Sequence, residues 1–195
     1  MNGGGRRCRE GQSCQEPEGK GQGHVEQKIG YSAYRELLND FVNLVQQALG
    51  DQVVSIVLYG SVARGDAKAN SDIDLLLIFV DPPDNYHRRL DQVLRIQSRL
   101  EGEEVYKRMR ERLGMEPFLS HLILSKEEAD ENRYIYLDMV QDAKILYDRD
   151  NFFAQRLEGV KKRLRELHSK RVWLEDGTWY WDLKPDLKPG EVFTL

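Results

Sequence analysis

The stretch VVSIVLYGSVARGDAKANSDIDLLLIFV, residues 53–80, decides how the chain is read. It sets a Gly60-Ser61 pair, ten intervening residues and an Asp72-x-Asp74 pair between two apolar runs. Val53 to Tyr59 is β-branched and apolar, and Ile73 to Val80 is almost unbroken apolar, the pattern of adjacent strands covered on both faces. A Gly-Ser turn leaving a strand presents backbone N–H groups and a hydroxyl to phosphate oxygens. Gly60 allows close approach, and Val62-Ala63-Arg64 can form a short helical turn that favours anions. Two carboxylates two residues apart on a strand point to one face. At about 5 Å apart they repel by about 3 kcal/mol at an effective dielectric near 20, so they call for a cation or a proton. Carboxylates with room left for water and phosphate suit Mg²⁺. The segment therefore predicts a site for a metal-bound nucleoside triphosphate.

Outward from this segment, Ser32 is expected to cap a helix with apolar positions at Leu37, Leu38, Phe41, Val42, Leu44, Val45 and Leu49, ended by Gly50. Residues 1–29 are rich in Gly, Gln, Glu and Arg with hardly an aliphatic side chain, so a disordered tail is expected there. Its Cys8 and Cys14 have no zinc spacing and are read as reduced and without a role. Asp81-Pro82-Pro83-Asp84 closes the second strand. Tyr86 to Leu113 carries a helical apolar stripe that Gly102 can bend or split. Phe118 to Leu124 predicts a third strand, Ser125 a helix start, residues 133–141 a helix, and Lys144 to Tyr147 a short strand.

The expected organisation is one α/β (α+β) nucleotide-site domain over residues 30–150, a mixed sheet flanked by helices, followed by a C-terminal unit over 151–195. That unit comprises an amphipathic basic helix with Phe153, Leu157, Val160, Leu164 and Leu167 on one side, and an aromatic β-hairpin, both packed on the domain or on a partner. Asp176-Gly177 between Arg171-Val-Trp-Leu and Trp179-Tyr-Trp reads as a two-residue turn. That register opposes Leu174 to Trp179, Val172 to Trp181 and Trp173 to Tyr180.

The balance of 29 Lys+Arg against 33 Asp+Glu gives a net charge of −4, which lacks the basic footprint of a chain that grips long nucleic acid. The apolar runs are strand-sized and no secretory h-region is present, so no membrane span is expected and a cytoplasmic location is the default.

Gly60-Ser61, ten residues and Asp72-Ile73-Asp74, with Ala63-Arg64-Gly65 and Ser71 between, closely resemble the polymerase-beta-like nucleotidyltransferase superfamily, and most of all its minimal nucleotidyltransferase type. The tail from Trp181 to Phe193 resembles an archaeal and thermophile branch. The resemblance implies attack of a hydroxyl on the α-phosphate of a nucleoside triphosphate, most plausibly transfer of AMP from ATP to a protein hydroxyl. It further implies Gly60 and Ser61 on the β- and γ-phosphates, Arg64 as an additional phosphate contact, and Asp72 and Asp74 as the catalytic, Mg²⁺-binding pair. By the same resemblance the partner is a helical HEPN-domain protein, as in toxin–antitoxin pairs. Active relatives supply a third carboxylate from a later strand, where this chain places Ser120 or His121, with Glu116 nearby. The competing expectation is a nucleotide-binding, antitoxin-like interaction module that lacks this third acid.

Overall fold

In the computed structural model, residues 28–194 are described; Cys8, Cys14 and most of the expected tail lie outside them. β1 (Val53–Tyr59) and β2 (Ile73–Phe79) are adjacent and antiparallel, with Tyr59 opposite Asp74 and Leu58 opposite Leu75. β3 (Leu119–Ser125) runs parallel to β2, and β4 (Lys144–Asp148) antiparallel to β1, giving a mixed sheet in the order β3-β2-β1-β4. The expected mixed sheet between helices is the architecture observed.

Both faces of the central strands are covered, which is why β2 tolerates no polar alternation after Asp74. One face carries Ile56, Leu58, Leu75, Leu77 and Ile123 against α1 (Tyr31–Leu49), α3 (Tyr86–Gly102) and α4 (Glu104–Leu113). The other carries Val54, Val57, Leu76, Ile78 and Leu124 against α6 (Ile135–Asp142) and α7 (Phe152–Glu166). The predicted helix from Tyr86 to Leu113 is split at Glu103, which turns to an extended ψ of 150° directly after Gly102. Ser32 does not cap α1: the cap is Gly30, and Ser32 lies inside the first turn. Ser125 does cap the short α5 (Lys126–Asp130), in a capping box with Glu128. Asp148 closes the junction of β4 and α7, accepting from Ser55 Oγ at 2.6 Å and from the amides of Phe153 and Ala154.

The C-terminal hairpin forms, but its register differs from the expected one. β5 (Lys170–Trp173) pairs with β6 (Trp179–Asp182) so that Trp173 opposes Trp179, Val172 opposes Tyr180 and Arg171 opposes Trp181. Leu174 N–H donates to Thr178 O and Gly177 N–H to Leu174 O, closing a three-residue loop with Gly177 at φ 81°. The turn thus spans Leu174 to Gly177 with Glu175 and Asp176 at its centre and runs into a left-handed Gly177, so Asp176-Gly177 is not the centre of a two-residue turn. The one-residue slip gathers Trp173, Trp179 and Trp181 on the face of Arg171, whose guanidinium lies 4.7 and 4.0 Å from the Trp173 and Trp179 rings. Trp181 packs on the α6/α7 layer, and Arg171 donates to Gln141 and Asp142 at the end of α6. The hairpin is therefore bound to the domain. No described helix is long and apolar enough to cross a membrane.

Candidate active site

The predicted site residues meet at one end of the sheet. β1 ends at Tyr59 and passes without a loop into α2 (Gly60–Arg64), so Gly60 and Ser61 form the first turn of a helix. Tyr59 provides no side-chain cap to the leading amides of α2. Gly60 has φ 72°, and a Cβ built on it would lie 3.1 Å from Asp74 Cγ and closer still to Oδ2. Only glycine fits both the dihedral and the space. Gly60 and Asp74, fourteen residues apart along the chain, are thus in direct contact.

Asp74, on β2, is half-buried; Asp72 lies one residue before the strand and is exposed. Burial holds the Asp74 carboxyl above the usual carboxylate range. The Asp72 charge raises it further, while a hydrogen bond from Ser120 and the Arg64 guanidinium lower it. A carboxylate pushed up by desolvation and a like charge is stabilised by a cation. With oxygen donors only, two carboxylates and the Ser120 hydroxyl bonded to Asp74, the donor set fits a hard divalent ion that shares substrate phosphates. Among the described residues no group of three or more His, Cys, Asp or Glu is placed to hold a metal.

The two alternatives for the third-acid position separate cleanly. Ser120 lies beside Asp74 in the parallel β2–β3 register and bonds its carboxylate. His121 neighbours Leu75 and faces the opposite layer, its ring stacked on Phe41 of α1 at 5.7 Å and its Nε2 buried without a partner among the described residues. Burial pushes His121 down to about 4. It packs toward the α1 layer rather than beside Asp74. Glu116 sits in the loop before β3, exposed and 3.3 Å from Arg110. Ser120 therefore occupies the place where active relatives are expected to carry an acid.

Arg64 closes α2 with its Nε 3.3 Å from Asp66 Oδ2, and its charge reaches both Asp74 and Asp138 of α6. Two neighbours escaped the sequence reading. Tyr59, opposite Asp74, has its phenol pushed up to about 12 by burial and by the Asp74 and Tyr86 charges. Asp138 is raised by partial desolvation against Arg64 and Arg171. Tyr59 could have been found from its place before Gly60; Asp138 carries only the weak signal of an acid in the apolar run Ile135–Val140.

The family model described as "Nucleotidyltransferase domain" matches residues 38–185. A Methanocaldococcus jannaschii protein named "Putative protein adenylyltransferase" is 32% identical over 142 residues, covering 72% of this chain and 88% of that protein. Two solved structures are also similar. One, a nucleotidyltransferase so described from Sulfolobus solfataricus, is 21% identical with a TM-score of 0.39, over 61% of this chain and 86% of its own. The other is a Shewanella oneidensis complex of a tri-AMPylated HEPN toxin with its MNT antitoxin. It is 16% identical with a TM-score of 0.34, over 67% and 91% of the two chains.

Proposed function

The chain belongs to the nucleotidyltransferase-domain family, and from that premise we propose that it transfers AMP from ATP to a hydroxyl of a protein acceptor. The observation that carries the reading is the packing of Gly60 on the Asp74 carboxylate, which supports taking the Gly60-Ser61 turn and the Asp72-x-Asp74 pair as one site. The protein acceptor is supported by the relative at 32% identity, which is named for protein adenylylation. A HEPN-type helical protein is the proposed partner, on the likeness of the Gly-Ser and Asp-x-Asp motif to minimal nucleotidyltransferases.

The leading amides of α2 and the Ser61 hydroxyl receive the β- and γ-phosphates, with Arg64 as a further contact. Asp72 and Asp74 hold Mg²⁺, which supplies neutralisation of charge on the triphosphate. The Ser120 hydroxyl orients Asp74. The acceptor oxygen bonds to the α-phosphorus, the bond to the pyrophosphate oxygen breaks, and the acceptor proton leaves to solvent. With Ser120 where an acid would assist deprotonation, turnover is slow relative to nucleotide binding.

Binding is tested by heating the protein with and without ATP and Mg²⁺. Saturation at about 100 times Kd stabilises the wild type by about 2.7 kcal/mol, and Asp72→Ala and Asp74→Ala abolish the shift. Equal shifts in wild type and both variants would refute the site.

A further inference from the structure

Away from the acid pair, α6, α7 and the C-terminal segment line a cavity of about 660 Å³ that is open to solvent on one side. Its volume is that of a small-molecule site. Three arginines line it, Arg133, Arg156 and Arg163, together with an apolar wall that includes Val160, Leu183 and Phe193. Each guanidinium is held in place by a hydrogen bond to a neighbour, and two of these neighbours, Asn132 and Thr194, are themselves part of the cavity wall. Arg133 Nε donates to Glu128 O at 2.8 Å, Arg156 Nη2 to Asn132 Oδ1 at 2.6 Å, and Arg163 Nε to Thr194 O at 2.8 Å. The carboxylates nearest them, Asp130, Glu131 and Glu166, are exposed and therefore screened.

Two further observations bear on the cavity. Arg156 Nε is buried without a hydrogen-bond partner among the described residues and out of a ligand's reach, and Nη2 is bonded to Asn132, so Nη1, 4.0 Å from Asp130, is the group left to meet an anion. Gly159 interrupts α7 at about 1 kcal/mol relative to alanine. It has no positive φ to require it, and a Cβ there would meet nothing within 4 Å. Gly159 is an exposed part of the cavity lining, and a side chain there would take up room that the glycine leaves open. Fixed guanidinium forks suit phosphate, and the apolar wall suits a flat or aliphatic body.

We propose that this cavity is a second binding site, separate from the Gly60–Asp74 site, for a small phosphate-bearing molecule with an apolar body, of the nucleoside monophosphate class. It is independent of the adenylylation reading. The probes are millimolar AMP and inorganic phosphate, added to the Asp72→Ala, Asp74→Ala chain, in which the proposed metal pair is absent. AMP raises the melting temperature of that chain. Adding Gly159→Leu, which puts a bulky side chain at the cavity lining and favours the helix, removes the AMP response while raising basal stability. Arg156→Gln removes it independently, and neither single change in the otherwise wild-type chain affects ATP and Mg²⁺ binding. No AMP response in the double variant, a response that survives both Gly159→Leu and Arg156→Gln, or an equal response to inorganic phosphate would overturn the proposal.

Discussion

Asp74 is costly to the empty fold: half-buried, against the Asp72 charge, it takes up protons more readily folded than unfolded. A group raised in this way favours the native state at low pH, and that contribution is lost as pH rises through the folded value. Asp74→Asn is therefore expected to raise the melting temperature at neutral pH by about 2 °C, allowing for screening, while removing the response to ATP and Mg²⁺; paired thermal scans check both. His121 has the opposite sign. Held down to about 4 in the fold and near 6.5 when unfolded, it contributes nothing above pH 6.5. Stability falls as the unfolded chain alone takes up the proton between pH 6.5 and 4, by about 3 kcal/mol in all. Denaturant titrations of His121→Leu across that window are expected to lose this acid slope, with nucleotide binding unchanged. Alternation along the Phe118 to Leu124 strand left both Ser120 and His121 open; pairing with β2 decides between them, because neighbours in a parallel register share a face.

Among the elements, those that position the site were legible because their patterns are local. β1 and β2 are continuous apolar runs, Gly102 marks the break between α3 and α4, and Ser125 with Glu128 marks α5. The hairpin was legible as a hairpin but not in register. Asp-Gly serves both a two-residue turn and a type I turn followed by a left-handed glycine, and the choice rests on which faces pack. Burying Trp181 against α6 and α7 while stacking Trp173 and Trp179 on Arg171 is achieved only by the longer loop. Gly177→Ala, at φ 81°, is expected to cost about 1 kcal/mol, lowering the melting temperature by about 3 °C and leaving the ATP-induced shift intact. A lost ATP response would instead make the hairpin part of the nucleotide site.

Across the whole molecule, one sheet covered on both faces carries the proposed chemistry at the end where β1 runs into α2 and β2 begins. Nothing in its net charge of −4 suits a long polyanion, and the proposed acceptor is accordingly a protein. The direct test of adenylyl transfer is incubation of the chain and its co-purified partner with Mg²⁺ and ATP labelled either at the α- or at the γ-phosphate. The account predicts protein-bound label from α-labelled ATP only, and none with Asp72→Ala, Asp74→Ala. Label from γ-labelled ATP, or α-label undiminished in the double variant, would contradict it.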